Sequence, residues 1–297
     1  MAQITAADVK KLREMTGAGM MDCKKALTET DGDMDAAVDF LRKKGLAAAS
    51  KKAGRVAAEG VVAAVASGNV GVMVEVNAET DFTSKNEKFT GFVNRLVELA
   101  LAGQPADLAA LKAMPMDDGT AEEALAQLIA TIGENMNIRR YEKVGVDSGV
   151  VSAYVHAGGK IGVLVGIEGE PDEALAGFAR GVAMHVAAAN PQYISREDVP
   201  AEAVEREKAV LSERAAASGK PEHIIEKIVA GQLNKFYSEV CLLEQDYVLD
   251  TDQTVGKALE QAQKGARIVA MKRFQLGEGI EKEETDFAAE VAAQLHG

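Results

Sequence analysis

The sequence predicts an α+β protein: an N-terminal three-helix domain, a core of two related hairpin-plus-helix halves, an inserted helical hairpin and a C-terminal helix. Short amphipathic helices come first along the chain. Two valine-rich hairpins follow, each with a helix after it, and a long charged helical stretch interrupts the second unit. With 47% hydrophobic and 27% charged residues, the composition is that of a folded globular protein.

Residues 1–55 are predicted to form the three-helix domain. Thr5, with Asp8 three residues later, has the pattern of a capping box, and Asp22 and Asp33 are the expected caps of the next two helices. Gly45 is expected to end the third helix, and the basic stretch 47–55 to act as a linker helix or tether. The apolar positions expected inside are Val9, Leu12, Met15, Cys23, Ala26, Leu27, Ala36, Ala37, Phe40 and Leu41.

The core is predicted to comprise a first half, residues 56–145, and a second half, residues 146–279. Each half opens with Gly-Val-Val, turns at glycines and returns through a Gly-Val-Met-Val or Gly-Val-Leu-Val strand, which is the pattern of a β-hairpin. Apolar residues at helical spacing follow at 89–100 and 174–189, and residues 121–132 form a further helix. We interpret this order as a duplication; chance similarity between two valine-rich hairpins is the alternative.

An insertion at about 196–237 is predicted to be a helical hairpin, broken at Ser218-Gly219-Lys220-Pro221. Such an arm suits interaction or self-association better than catalysis. Beyond it, residues 239–249 and 267–276 are expected to be strands and 255–263 a helix. Residues 280–297 form the predicted C-terminal helical module.

Charge and cysteine content restrict the function classes. The net charge of −13 divides into +3 for residues 1–55 and −16 for the rest, which argues against a protein that binds nucleic acid directly. Two cysteines far apart predict neither a disulfide framework nor a cysteine metal site. The start of the chain lacks a signal-peptide pattern and no apolar run approaches about 18 residues, so we expect a cytoplasmic protein without a membrane partner.

Catalytic signatures are scarce in this sequence. The four histidines, His156, His185, His223 and His296, lie in different predicted elements and lack the spacing of a metal pair. Neither a Gly-x-Ser-x-Gly nucleophile motif nor a Gly-x-x-x-x-Gly-Lys-Ser/Thr phosphate loop occurs. We therefore expect a protein that is not an enzyme and that uses no metal and no cofactor.

Two methionines stand at an unusual place between the first two predicted helices. Met20 and Met21 follow Gly17-Ala18-Gly19, where a glycine-rich turn ordinarily carries polar residues. Methionine is adaptable and frequent on protein-binding surfaces, which favours a docking role. The alternative is that both side chains pack into the small helical core.

Phe82 lies in the polar connection Asn77-Ala78-Glu79-Thr80-Asp81-Phe82-Thr83-Ser84-Lys85, which leaves a strand and precedes a helix that Thr83 or Ser84 would cap. One interpretation is that the ring folds back onto the core. The other is an aromatic anchor presented to a pocket of a partner. The same four letters recur at Glu284-Thr285-Asp286-Phe287, where apolar residues follow, and Phe287 is expected to be one face of the final helix.

These two features carry a resemblance to a known family. Residues 12–27, Leu-Arg-Glu-Met-Thr-Gly-Ala-Gly-Met-Met-Asp-Cys-Lys-Lys-Ala-Leu, resemble the first signature of the bacterial elongation factor Ts family, and residues 75–82 resemble the second. Residues 133–140, the helical arm and residues 277–282 extend the resemblance over essentially the whole chain. Ala78 and Thr83 depart from the residues that the family more usually has beside the Thr80-Asp81-Phe82 centre.

The resemblance implies a fold and a set of contacts. The first domain is expected to be similar to a ubiquitin-associated (UBA) domain and to dock on the GTPase domain of elongation factor Tu, with Arg13, Met20 and Met21 in contact. By the same resemblance, Thr80, Asp81 and Phe82 enter near the partner's Mg²⁺ site, where Ile132, Gly133 and His156 line the contact. Val248 and Leu249 would reach a second domain of the partner, and the final helix would also touch the GTPase domain.

The function implied by the resemblance is guanine-nucleotide exchange. The protein would promote GDP release from elongation factor Tu in translation elongation, and the arm would mediate self-association in some members of the family. A non-catalytic adaptor or holdase for the GTPase is one alternative. A small-molecule enzyme that uses His156 beside the Gly158-Gly159 turn is another, and it predicts a deep polar pocket at His156.

Overall fold

The computed structural model describes residues 4–217 and 221–281. Its helices are α1 (Ala6–Thr16), α2 (Met20–Glu29), α3 (Met34–Lys52), α4 (Asp81–Ser84), α5 (Glu87–Gly103), α6 (Leu108–Ala113), α7 (Ala121–Ile132), α8 (Glu173–Ala189), α9 (Ala201–Ala216), α10 (Glu222–Val240) and α11 (Val255–Ala262). Its strands are β1 (Glu59–Ser67), β2 (Val70–Ala78), β3 (Pro115–Met116), β4 (Gly119–Thr120), β5 (Met136–Gly145), β6 (Gly149–His156), β7 (Ile161–Glu168), β8 (Asp246–Tyr247), β9 (Asp250–Thr254) and β10 (Arg267–Gln275). The predicted α+β class is confirmed, while the predicted domain boundaries stay predictions.

Helices α1, α2 and α3 pack around a small apolar cluster. Thr5 and Asp8 form the predicted capping box at the start of α1, and Asp33 caps α3. The buried members of the cluster are Val9, Leu12, Ala18, Cys23, Ala26, Leu27, Ala37 and Leu41.

Three local predictions for these helices are wrong. Met15 and Ala36 do not join the apolar faces, because their side chains are exposed. Asp22 does not cap α2, which already begins at Met20 after Gly19. The Asp22 carboxylate instead pairs with the ammonium group of Lys44 on α3.

The predicted end of the third helix at Gly45 is also wrong, because α3 continues to Lys52. Gly45 is buried where α3 crosses α7, and a Cβ added there would lie 2.9 Å from the side-chain nitrogen of Gln127. That nitrogen donates to the carbonyl of Leu41 at 3.0 Å. The glycine therefore serves the close approach of two helices and does not terminate one.

Two three-stranded antiparallel sheets form the core, in the orders β1-β2-β5 and β10-β7-β6. The hairpins β1-β2 and β6-β7 were predicted from the sequence, as was β10; the third strand of the first sheet, β5, was not. Helices α5 and α7 cover the first sheet and α8 and α11 the second.

The two halves repeat each other in detail, beyond the two hairpins. Gly60 and Gly149, at the starts of β1 and β6, have φ of +129° and +144°. A Cβ at either would lie 2.1 or 2.0 Å from a carbonyl oxygen of the partner strand, that of Val76 or Ile167. Helices α5 and α8 are both 17 residues long and end at left-handed caps, Gln104 and Asn190.

The repeat continues to the third strand of each sheet. In the first half a short β3-β4 ribbon leads into α7 and then β5; in the second half β8-β9 leads into α11 and then β10. Register shifts fall at the same place, so Arg139 is the extra residue in β5 and Val269 the extra residue in β10. The hairpin and the helix after it were predicted as repeated in each half, whereas the repeated ribbon and third strand were not.

The halves interlock through their hairpins. The amide of Val62 in β1 donates to the carbonyl of Gly159 at 2.8 Å, and the amide of Val151 in β6 donates to the carbonyl of Gly68 at 2.9 Å. Each hairpin turn is therefore held by the first strand of the other half. A shared apolar cluster fills the space between them, formed by Val62, Met73, Val144, Val146, Val151, Leu164 and Phe274.

Helices α9 and α10 form the predicted arm, packed through Leu211, Ala215 and Val229. The predicted break at residues 218–220 lies outside the described residues, and Pro221 directly precedes α10. At the root of the arm, the Arg196 guanidinium pairs with Glu244 and lies 4.5 Å from the centre of the Tyr237 ring.

The strand predicted at 239–249 is wrong. Helix α10 runs to Val240, a single 3₁₀ turn follows at Leu242–Glu244, and only Asp246–Tyr247 is a strand. The apolar residues Leu242 and Tyr247 are buried against the second sheet, which accounts for the pattern without an extended strand.

The predicted C-terminal helix, with Phe287 and His296, lies outside the described residues apart from its first two positions. No helix within 4–217 and 221–281 is long and apolar enough to cross a membrane.

Candidate protein-docking site

Phe82 is the most exposed large hydrophobic side chain of the described residues, with 81% of its surface accessible. It lies on α4, a four-residue helix between β2 and α5. The interpretation in which the ring folds back onto the core is therefore wrong. Thr80 caps α4 and Asn86 caps α5, so the predicted capping roles of Thr83 and Ser84 are wrong as well.

Two carboxylates hold the chain just before Phe82. Glu134 accepts hydrogen bonds from the backbone amide of Thr80 at 3.1 Å and from its hydroxyl at 2.8 Å. Glu79 accepts from the backbone amide of Asn135 and pairs with Arg55 at 3.4 Å. The end of β2 and the connection from α7 to β5 thus fix one another.

Asn135 adds a further tie, because its side-chain nitrogen donates to the carbonyl of Arg55 at 2.7 Å. Neither Glu134 nor Asn135 was among the predicted site residues, although both lie in the family-like stretch 133–140. Their partners are more than fifty residues away in sequence, so no local pattern identifies them.

Asp81, next to Phe82, pairs with Lys85 one helical turn later at 2.8 Å. The hydrogen bond and charge of Lys85 lower the pKa of this carboxyl, and the more distant charge of Lys160 contributes in the same direction. Asp81 is therefore ionised at neutral pH, and a negative charge stands beside the exposed ring.

Parts of both halves meet at this corner of the molecule. Lys160, in the turn between β6 and β7, pairs with Glu59 at the start of β1 at 3.1 Å. His156 precedes the same turn; its ring is exposed, and Nδ1 lies 3.0 Å from the hydroxyl of Tyr154. An enzyme centred on His156 requires that residue to lie in a deep polar pocket, and the exposed position of the ring does not meet that requirement.

Ile132 and Gly133 belong to this corner through Glu134. Ile132 is the last residue of α7, and Gly133 ends the helix with φ of +94°. The turn carries the chain directly to Glu134 and its bonds with Thr80. Six of the predicted residues, Thr80, Asp81, Phe82, Ile132, Gly133 and His156, are thus placed on adjoining elements.

The predicted methionine pair forms a second exposed surface. Met20 and Met21 are the first residues of α2, with 60% and 74% of their surfaces accessible. Arg13 and Met15 are exposed on the neighbouring α1. The interpretation that both methionines pack into the helical core is wrong.

Val248 and Leu249 form a third exposed surface at the tip between β8 and β9. The amide of Val248 donates to Nδ1 of the buried His185 at 3.1 Å, and His185 Nε2 lies 2.8 Å from the Gln245 side-chain oxygen. Because Nδ1 accepts a hydrogen bond, the proton of this neutral ring is on Nε2. Burial lowers the pKa of His185, which favours that neutral form.

A buried carboxylate connects the remaining family-like stretches. Glu75 in β2 has no accessible surface and accepts from Arg139 at 3.0 Å, from Arg140, from Asn77 and from the amide of Gly277 at 2.9 Å. Burial alone would raise the pKa of Glu75, but these hydrogen bonds outweigh it and lower the pKa. The stretches 75–82 and 133–140 are therefore joined with residues 277 and 278 in one polar network.

The reactive groups of the described residues offer little for covalent chemistry. Cys23 and Cys241 are buried, and burial raises the pKa of Cys23 and raises that of Cys241 to about 11, so both are protonated thiols. Within 4–217 and 221–281, no group of three or more His, Cys, Asp or Glu side chains is placed to hold a metal ion. What the surface does present is exposed apolar side chains on fixed backbone.

Comparison with known proteins gives one family. The family model described as elongation factor TS matches residues 79–278. The elongation factor Ts of Magnetococcus marinus is 55% identical, covering 99% of each chain. Those of Rhodospirillum rubrum and Syntrophotalea carbinolica are 58% and 55% identical, with at least 98% of each chain covered.

The family-like stretches, the arm and the nearly full-length identity agree with one another, and the resemblance found in the sequence is confirmed. The chain belongs to the elongation factor Ts family of translation elongation factors.

Proposed function

We propose that this protein is a guanine-nucleotide exchange factor that promotes GDP release from elongation factor Tu. The observation that carries the proposal is Phe82, an exposed ring on a short helix whose base is fixed by Glu134 and Glu79. An aromatic side chain that is held out into solvent on rigid backbone loses little conformational freedom on binding, which makes it an effective anchor. Family membership supports the identity of the partner.

The proposed mechanism is differential binding. A GTPase holds GDP with a phosphate loop and a Mg²⁺ ion, the largest local charge at such a site. Phe82 is proposed to enter between the partner's elements that support the ion, with the ionised Asp81 beside it. A factor that binds the nucleotide-poor conformation more tightly must weaken GDP binding by the same ratio, and GDP must weaken binding of the factor.

Three surfaces share the docking in this proposal. Arg13, Met20 and Met21, in a UBA-like first domain of residues 1–55, contact the GTPase domain. Ile132, Gly133 and His156 line the contact around Thr80, Asp81 and Phe82. Val248 and Leu249, in the second core half, reach another domain of the partner. The arm at about 196–237 is available for self-association, and the C-terminal module 280–297 is assigned a further contact with the GTPase domain.

No covalent bond is made or broken in this mechanism, so the protein is proposed not to be an enzyme and to need no cofactor of its own. It is proposed to act in the cytoplasm. Its ligand is a protein surface. The protonated, buried thiols and the dispersed histidines are compatible with that role.

The test is the release of a fluorescent GDP analogue from elongation factor Tu, measured by stopped flow against the concentration of the factor. Wild type is expected to accelerate release, and Phe82→Ala to reduce the maximal rate by about tenfold or more, since removing an interface anchor costs more than about 1.4 kcal/mol. Val269→Ala, an exposed apolar residue on β10 away from the proposed contacts, serves as the control and is expected to match wild type.

An adaptor or holdase gives a different result. Such a protein would bind elongation factor Tu in a calorimetric titration but leave the rate of GDP release unchanged, and that outcome would refute exchange. Full activity of Phe82→Ala with an active wild type would refute only the role of Phe82.

A further inference from the structure

The carboxylate of Glu134 is bound to Thr80 at two points. It accepts from the backbone amide at 3.1 Å and from the hydroxyl at 2.8 Å, although the two residues are 54 positions apart. An ionised carboxylate only accepts hydrogen bonds, so it must take the hydroxyl hydrogen of Thr80. The lone pairs of that hydroxyl are then free to face elsewhere.

One of those lone pairs caps α4. The backbone amide of Thr83 donates to the Thr80 hydroxyl oxygen at 3.3 Å, which satisfies one of the amides left without a partner in the first turn of the helix. The direction of this bond depends on Glu134, because the hydroxyl has a single hydrogen and Glu134 holds it. Glu134 thus orients the Thr80 hydroxyl, which caps the helix that carries Phe82.

Helix α4 needs such an external support. It has only four residues, and an isolated helix of that length is unstable because its nucleation is unfavourable. Phe82 contributes little anchoring of its own, since most of its surface is accessible. The direction of the ring is therefore set by the backbone of α4 and by the contacts at its base.

We propose that Glu134 is a positioning residue for Phe82: its two-point bond to Thr80 sets the direction in which α4 presents the ring. This inference rests on the proposed exchange function. Glu134 touches neither nucleotide nor reacting atoms in this role and acts only through Thr80 and α4.

The neighbouring contacts make this role separable from folding. Glu79 is held independently by the amide of Asn135 and by Arg55, so the end of β2 stays attached when Glu134 is changed. Thr83 is buried on the core side of α4 and keeps the helix against the sheet. Loss of Glu134 is expected to loosen α4 locally and to leave the core folded.

The experiment compares Glu134→Ala and Glu134→Gln with wild type in the GDP-release assay on elongation factor Tu. We expect Glu134→Ala to lower the maximal rate about tenfold, equivalent to about 1.4 kcal/mol, and to change the half-saturating concentration less than about twofold. Docking through Met20, Met21 and the Val248–Leu249 tip is expected to stay as in wild type. The variant should therefore bind the partner normally but release GDP more slowly once bound. Glutamine keeps one acceptor oxygen, so Glu134→Gln is expected to retain an intermediate rate.

A double-mutant cycle separates positioning from direct contact. In the Phe82→Ala background, Glu134→Ala is expected to have no further effect on the maximal rate. Asp198→Ala is the matched control, because Asp198, at the root of the arm, accepts from the amide and hydroxyl of Ser195 at 2.9 and 2.8 Å in the same way. That variant is expected to exchange GDP like wild type.

Hydrogen exchange of the Thr83 amide gives a readout that does not need the partner. It is expected to accelerate in Glu134→Ala and to stay unchanged in Asp198→Ala. The inference is overturned if Glu134→Ala keeps the wild-type rate, if its effect persists in the Phe82→Ala background, or if Thr83 exchange does not change. Failure of wild type to accelerate GDP release overturns the proposed function instead, and the Thr83 measurement still decides whether Glu134 supports α4.

Discussion

In the first half of the core, β1 to β5, a buried glutamate, Glu75, lies opposite Arg140. At the equivalent place in the second half, β6 to β10, Gly166 lies opposite Ala270. The bulged residue beside them is Arg139 in one half and Val269 in the other. One backbone geometry thus accommodates a buried ionic cluster and a pair of small residues, so the geometry is set by the strand pattern and the glycines.

The connections differ more than the sheets. Between β2 and α5 the first half places α4 with the exposed Phe82, whereas residues 169–172 link β7 to α8 without a helix. Between α8 and β8 the second half inserts the arm, where the first half has only the short α6. The ribbon tip is Asp117-Asp118 in one half and Val248-Leu249 in the other. Phe82 and the arm therefore lie in connections that the two halves do not share, whereas the Val248-Leu249 tip lies on a ribbon that both halves have.

The largest effect is expected from Glu75. Glu75→Ala leaves Arg139 and Arg140 without their buried partner, and breaking a buried pair in this way typically costs about 3–5 kcal/mol. Urea denaturation measures the change. The exposed pair Arg267–Glu168 in the second half is the control, and Glu168→Ala is expected to cost less than about 1 kcal/mol. Equal losses in the two variants would show that the ionic cluster is not what distinguishes the halves.

The same cluster predicts a pH dependence. The pKa of Glu75 is lower in the folded protein than its ordinary value of 4.5, so its stabilisation is present above that pH. It is lost as the pH falls below 4.5 towards the folded-state pKa. Wild type is expected to lose more stability in this range than a Glu75→Gln variant, when both are followed by denaturation in acetate and formate buffers.

Gly60 and Gly149 test whether the halves share one geometry. Alanine at either position combines a strained positive φ with a Cβ about 2 Å from a carbonyl oxygen, and should cost about 2–3 kcal/mol. We expect equal losses, and a difference above about 1 kcal/mol would contradict the equivalence. Gly177→Ala on α8, where nothing lies within 4 Å, should stabilise by up to about 1 kcal/mol.

The side chains at one ribbon tip can be replaced by the residue types found at the other. Changing Val248 and Leu249 together to Asp copies the acidic tip of the first half and is expected to weaken binding to elongation factor Tu about tenfold in a calorimetric titration. Folding stability should change by less than about 0.5 kcal/mol, because both side chains are exposed. The reciprocal variant Asp118→Leu should bind like wild type; unchanged affinity in the double variant would remove the tip from the proposed interface.

The smallest effect concerns His185, whose equivalent in α5 is Leu99. Because burial lowers the pKa of His185 below its ordinary 6.5, the unfolded chain takes up a proton first as the pH falls. Stability is therefore expected to decline below pH 6.5, with a slope of at most about 1.4 kcal/mol per pH unit. His185→Leu should lose this slope, and a slope that persists in the variant would assign it to other groups.

Sequence patterns predicted the parts of this fold that local chemistry determines. The caps Thr5 and Asp33, the two hairpins and the first helix after each follow from periodicity and turn residues. Gly45 was misjudged because a glycine in a helix pattern suggests termination, whereas its neighbour Gln127 comes from a helix far along the chain. Strand β5 was missed because its charged residues, Arg139 and Arg140, mask an apolar alternation.

The candidate site shows the same limit. Phe82 was identified as unusual from its polar surroundings, but the local pattern left open whether the ring folds back onto the core or faces a partner. The structure shows the ring exposed, and the bonds at its base, between Thr80 and Glu134, join distant parts of the chain. The methionines were identified because their position beside glycines departs from ordinary turn chemistry. Apolar residues at a place that is usually polar indicate a protein-binding surface.

The reciprocal bonds Val62 to Gly159 and Val151 to Gly68 have a consequence for how such a chain could arise. A polypeptide made of one half alone would leave the edge of its first strand and the tip of its turn unpaired. Two copies of that polypeptide, arranged about a twofold axis, would satisfy both groups between them. In the present core the two halves satisfy these groups for each other within one chain, and Phe82 and the arm are each carried by only one of the halves.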